Sequence, residues 1–179
     1  MKAQNVGFNY PAGITCRKMR KDISYNTLIE LIKSKNYTRI NIIGSPGAGK
    51  STMAKIISKS LGYKLIDLDL FLYTNAGKRK SHEEDIESLR SIISNSNIVI
   101  DGTYTSSLEF RVNVIDLFIL KRTNRSVCLF RFLYRLIVSQ NIKLGERLTF
   151  KTFYLIIMYS RIERERIIPI IPKEKLIIV

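Results

Sequence analysis

The residues with the clearest capacity for chemistry are Gly44-Ser45-Pro46-Gly47-Ala48-Gly49-Lys50-Ser51, an ungapped match to G-x-x-x-x-G-K-[ST]. Glycines at 47 and 49 let the backbone turn with its N–H groups pointing inward, where they can cradle phosphate oxygens. The positive end of a helix beginning near Lys50 adds to that field. Lys50 is expected to reach the β- and γ-phosphates, the Ser51 hydroxyl to ligate Mg²⁺, and Thr52 to touch the α-phosphate. Gly44, Ser45, Pro46, Gly47, Ala48, Gly49, Lys50, Ser51 and Thr52 are therefore the expected nucleotide-binding residues. The blander reading is a glycine-rich turn before an ordinary helix. Against it, an apolar run (RINIIG, 39–44) precedes the motif and an amphipathic one follows.

A metal held by one hydroxyl and by phosphates needs a carboxylate nearby. Asp101 closes the apolar run NIVID, and in a parallel sheet it falls at the carboxyl edge beside the phosphate loop. Ser51 and Asp101 are the expected metal ligands; the alternative is an Asp that caps a turn with Gly102. Asp67 and Asp69 close IDLDLF on the same edge, where they could orient or deprotonate an acceptor. Tyr104 could line that pocket or simply pack. Phosphoryl transfer also calls for cations on the transferring group. Arg131 and Arg135 are four apart on an expected helix and so share a face. Arg125 and Arg122 sit just before it, and Arg161, Arg164 and Arg166 cluster in RIERER. Taken singly, each arginine also fits a solvated surface position.

These residues need a scaffold. A short helix is expected over 25–36, strands over 39–44, 63–68, 97–101 and 117–120, and a last strand over 175–179. Between them the spacing predicts a helix from the phosphate loop to Gly62, and one opened by a Ser81/Glu84 capping box and running to Ile93. Further helices are expected over 126–140 and 149–166, with a polar loop over 74–80. Strands alternating with helices predict a parallel sheet with right-handed crossovers. The single histidine, His82, falls in the capping region of a helix, and Cys128 in an apolar helix.

With 179 residues and 45% apolar content, the chain fits one domain with a substantial core, which excludes the low-hydrophobicity disordered class. No apolar run approaches the roughly 18 residues of a spanning helix, and the first residues lack the apolar stretch of a secretion signal. Cys16 and Cys128 form no metal or redox spacing, so a reduced, cytoplasmic chain is expected. Thirty Lys+Arg stand against 15 Asp+Glu, a net +15. That charge divides into +6 over 1–39, zero over 40–120, +8 over 121–166 and +1 beyond. Two basic blocks around a neutral centre call for an anionic partner near the C-terminal half.

IIGSPGAGKSTMAKIISKSLGYKLIDLDLFL resembles the adenylate-kinase-like P-loop kinases often labelled DNA topology modulation proteins. IVIDGTYTSSLEFRVNVIDLFIL, RSVCLFRFLYRL and GERLTFKTFYLIIMYSRIERERIIPII resemble their later segments, so the resemblance covers about residues 39–171. It implies that Asp69 is the second-strand carboxylate, that Asp101 and Gly102 follow the third strand, and that Arg125, Arg131 and Arg135 belong to a mobile lid. Asp67 stands where such proteins often have His, and LFLYTN replaces their usual aromatic residues. The resemblance also implies a loop after the last strand that packs on adenine, a position this sequence does not reach.

The expectation is a three-layer α/β P-loop NTPase fold with a five-stranded parallel sheet and a helical lid, over 39–179, behind a basic arm and short helix over 1–38. It would be a kinase moving the γ-phosphoryl of ATP, with Mg²⁺, to a nucleotide or a small phosphorylated or hydroxylated metabolite. Lys50, Arg125, Arg131 and Arg135 would stabilise the developing charge; Asp67, Asp69, Asp101 and Tyr104 would hold the acceptor. Two alternatives are a nucleic-acid-binding protein that uses the basic arm and keeps a regulatory ATP site, and an NTPase of another P-loop class.

Overall fold

A computed structural model of the chain describes residues 23–71, 81–138 and 150–179. The basic arm and the polar loop over 74–80 lie outside the described residues. Five strands, β1 (Arg39–Gly44), β2 (Lys64–Asp67), β3 (Ile98–Asp101), β4 (Leu117–Lys121) and β5 (Leu176–Ile178), form one sheet in the order β2-β3-β1-β4-β5. Every pairing is parallel. The strand that feeds the phosphate loop is therefore central, and its neighbours arrive by crossovers to opposite sides. This is the point in an open parallel sheet where the carboxyl ends leave a crevice for a ligand.

Both faces of the sheet are covered, so the strands read as continuous apolar runs rather than alternating ones. On one face Ile40, Ile42, Val99 and Ile119 pack with Leu28 and Ile32 of α1 (Tyr25–Ser34) and with Met53, Ala54 and Ile57 of α2 (Lys50–Leu61). On the other, Ile43, Ile100, Phe118 and Leu120 pack with Leu89 and Ile93 of α4 (His82–Ile93), and with Tyr159 of α7 (Phe150–Ile162) and Ile167 beyond it. Each large aliphatic or aromatic side chain so buried contributes about 1.5–3 kcal/mol relative to exposure.

Local signals fix the helix ends. Gly62 takes the left-handed conformation that closes α2. Ser81 and Glu84 make both bonds of the capping box that opens α4. At the amino edge of the sheet, Asp116 Oδ2 accepts from the backbone N–H of Thr38 and of Arg39, each at 2.9 Å, and from the Thr38 hydroxyl at 3.1 Å. One carboxylate thus ties the start of β1 to the start of β4.

The structure differs from the sequence expectation in three places. The second strand ends at Asp67, and Leu68–Phe71 turns into a four-residue helix, α3, because Leu68 is buried against Gly102 rather than continuing along the edge. A helix not expected from the sequence, α5 (Leu108–Val114), follows β3. The last long helix, α7, gives way at Glu163–Ile167 to a π-helical turn. The sixth helix is α6 (Arg125–Val138). Among the described residues no helix is long and apolar enough to cross a membrane.

Candidate active site

The phosphate loop closes the carboxyl end of β1 and opens α2. Gly47 has φ +78°, and a Cβ built there would fall 2.5 Å from the Cys128 carbonyl oxygen of α6. Gly49, at φ +89°, supplies the left-handed residue on which α2 begins. Any side chain at Gly47 would push the loop off α6 or flatten its turn. The loop is braced from outside: Thr123 Oγ1 donates to the Ala48 carbonyl at 3.0 Å, and Arg131 Nη1 to that of Gly47 at 3.4 Å. Lys50 Nζ folds back onto the Ser45 carbonyl at 3.0 Å, which holds the ammonium over the loop. The first turn of α2 contains no acidic residue, so its positive field is not neutralised from within, and Ser51 and Thr52 are exposed there.

Beside the loop stand two carboxylates. Asp101 pairs in register with Ile42 of β1 on one side and with Asp67 of β2 on the other. Register partners in a parallel sheet share a face, and Val99, two residues back from Asp101, lies in the core under α2. Both carboxylates therefore project on the α2 side of the sheet at its carboxyl edge. Asp101 is buried, at 6% exposure, and Asp67 is half-buried. Asp69 falls within α3, and its side chain lies outside the described residues.

This donor set suits a cation shared with phosphate. Among the described residues no group of three or more His, Cys, Asp or Glu side chains could hold a metal alone. The Ser51 hydroxyl and the Asp101 carboxylate would leave most positions of a hard, six-coordinate Mg²⁺ to phosphate oxygens and water. The loop fits phosphates through its left-handed Gly47 and Gly49, the start of α2 and the Lys50 ammonium held over it.

Beyond β4 lies a cavity of about 490 Å³, lined by Ser45 of the loop, Arg122, Arg125, Tyr159, Glu163 and Arg164 among others. Arg122 forms an ion pair with the buried Glu163, with Nε donating at 2.7 Å. Arg125 Nε donates to Ser160 Oγ, and Arg164 Nε to the Ser160 carbonyl, both at 3.2 Å. Burial raises the Tyr159 phenol and the Cys128 thiol above their ordinary pKa ranges, so both stay protonated at neutral pH.

The expected arginines separate. Arg131 meets the phosphate loop and Arg125 lines the cavity; Arg135 is exposed further along α6. Arg161 pairs with Glu165 at the surface, and Arg166 is exposed. Tyr104 is half-buried and packs against the core. Three residues not singled out by sequence join the site from behind: Asn41, Thr103 and Arg111. A readable signal existed for Asn41, a polar residue in the otherwise apolar run of a central strand, since such a side chain must find partners.

The shikimate kinase family model matches residues 46–99. Among the relatives are proteins named "Putative adenylate kinase" from Thermococcus onnurineus and Thermococcus kodakarensis. The first is 37% identical over 70 residues, which is 35% of this chain and 39% of that one. The second is 29% identical over 138 residues, 73% of this chain and 74% of that one. The fold is shared with a shikimate kinase structure from Bacteroides thetaiotaomicron, with a TM-score of 0.55 at 19% identity, covering 79% of this chain and 85% of that one. The phosphate loop and the strand order thus accompany a similarity to shikimate kinases over residues 46–99 and to proteins named putative adenylate kinase.

Proposed function

We propose that the protein transfers the γ-phosphoryl group of ATP to a nucleotide or a small hydroxylated or phosphorylated metabolite. The observation that carries this reading is the convergence of the Gly44–Thr52 cradle with two adjacent strand-end carboxylates, Asp67 and Asp101, on the α2 side of the sheet. The family match to shikimate kinase favours an acceptor hydroxyl, and the relatives named for adenylate kinase favour an acceptor phosphate.

In this reading the backbone N–H groups of the loop bind the β-phosphate, and Lys50 leaves the Ser45 carbonyl to contact the transferring group. Ser51 and Asp101 would hold Mg²⁺, which would supply positive charge to the phosphates. Asp67, with Asp69 close by in sequence and Tyr104 just after Asp101, orients the acceptor and takes up its proton where the acceptor is a hydroxyl. Arg131 and Arg125 stabilise charge from the α6 side. The cavity lined by Ser45, Arg125 and Tyr159 continues from the loop and is suited to the rest of the nucleotide. The setting is the ATP-rich cytoplasm.

The test is ATP turnover with Mg²⁺ over a panel of nucleoside monophosphates and polyhydroxylated carboxylic acids, for the unaltered chain and for Lys50→Ala. Acceptor-dependent ADP release that falls at least about 100-fold in Lys50→Ala supports the reading. Hydrolysis unaffected by any acceptor, or transfer undiminished in Lys50→Ala, contradicts it.

A further inference from the structure

Arg111 sits in α5, away from the phosphate loop in sequence, and is fully buried. An arginine guanidinium carries five N–H donors in a fixed planar fork. Here it meets five acceptors: the carbonyls of Ser107, Gly102, Thr103 and Tyr104, and the Asn41 side-chain oxygen. None of the five is a carboxylate. Burial lowers its pKa to about 10, which still leaves the side chain protonated through the neutral range. A buried cation so placed is compensated by oriented carbonyl dipoles, and three of those carbonyls belong to consecutive residues, Gly102 to Tyr104.

Asn41 holds the same segment from the other side. Its Nδ2 donates to the carbonyls of Ile100 and Gly102, each at 3.1 Å, while its oxygen accepts from Arg111. The segment thus clamped carries Thr103, whose hydroxyl makes two bonds to a single residue. Thr103 Oγ1 accepts from the Gly44 N–H at 3.1 Å and donates to the Gly44 carbonyl at 2.9 Å. Gly44 is the first glycine of the phosphate loop. The strand that ends in Asp101 and the loop that would receive phosphate are therefore joined through one side-chain hydroxyl, which is held in place by Arg111.

We infer that Arg111 is a positioning residue for nucleotide binding: through the Gly102–Tyr104 carbonyls and Asn41 it fixes the Thr103 hydroxyl on both peptide groups of Gly44, and so sets the geometry of the phosphate loop. The inference rests on the proposal that the loop binds a nucleotide. It explains why an arginine, rather than an apolar residue, occupies a fully buried position. Lysine has only three donors on a flexible stem and cannot span the five acceptors.

Calorimetric titration with Mg·ATP, paired with thermal unfolding in the absence of nucleotide, tests this on the full chain. Thr103→Val removes the shared hydroxyl at nearly constant volume and is expected to raise the dissociation constant about tenfold. Thr103→Ser, which keeps the hydroxyl, should bind like the unaltered chain. Arg111→Lys should weaken binding by a similar factor. The double variant should bind about as weakly as Thr103→Val alone, because both changes break one linkage. A purely structural Arg111 would lower the melting temperature of Arg111→Lys while leaving the affinity of the folded protein intact. That result overturns the inference, as does unaltered affinity in Thr103→Val, which remains decisive if Arg111→Lys does not fold. If the unaltered chain binds no Mg·ATP, the nucleotide proposal falls and the positioning role falls with it.

Discussion

Asp67 and Asp101 stand opposite each other as register partners at the carboxyl ends of β2 and β3, on the face covered by α2. Two carboxylates in adjacent strands repel unless something cationic lies between or beside them. Asp101 is the more buried and pairs with β1; Asp67 lies one strand further out.

Asp101→Asn keeps the shape of the site and removes its charge. The expected result is a rise of about tenfold in the Mg²⁺ concentration that half-saturates phosphotransfer, with the rate at saturating metal lowered on the order of 100-fold. Asp67→Asn should leave the Mg²⁺ requirement unchanged and raise the KM of the acceptor, with kcat lowered as well where the acceptor is a hydroxyl. Metal titrations at fixed ATP, for each variant, separate the two roles; an identical Mg²⁺ response in both would remove the distinction.

The part of this site built from contiguous residues was legible in the sequence. RINIIG, the glycine motif and Gly62 define strand, loop and helix by local rules: a buried apolar run, glycines at left-handed positions, and a glycine stop. The Ser81/Glu84 capping box was equally local. What could not be read is what depends on distant partners. In α5, Arg111 occupies a core position, so LEFRVNV lacks the apolar stripe that marks a core-facing helix. Its burial makes sense only once Asn41 and four carbonyls surround it. Likewise, nothing in the spacing of Arg125, Arg131 and Arg135 shows that Arg131 meets a phosphate-loop carbonyl, because that depends on how α6 packs on Gly47.

That packing yields a second prediction. Arg131 donates to the Gly47 carbonyl and comes within 3.6 Å of a Cβ built at Gly49, whereas Arg135 lies one turn further along α6. Arg131→Ala should lower ATP-dependent turnover about 100-fold, as removal of a preorganised charge at a phosphate does. Arg135→Ala should change turnover by less than about threefold, in the range of surface substitutions. Steady-state kinetics on the two single variants decide the matter, and an equal loss in both would mean that α6 approaches the transferring group along its length.

The third prediction concerns the opposite edge of the sheet, where Asp116 accepts from the Thr38 and Arg39 N–H groups and from the Thr38 hydroxyl. Asp116→Ala leaves those part-buried donors without their acceptor, at a cost of about 2–3 kcal/mol. For a chain of this size that corresponds to a fall of roughly 5–10 °C in melting temperature. The site is formed at the carboxyl ends of the strands and Asp116 lies at their amino ends, so the affinity of the folded protein for Mg·ATP should not change. Thermal unfolding and nucleotide titration on the same variant check both halves. A stability loss accompanied by a parallel loss of affinity would show that the start of β1 and the phosphate loop at its end do not behave as independent parts.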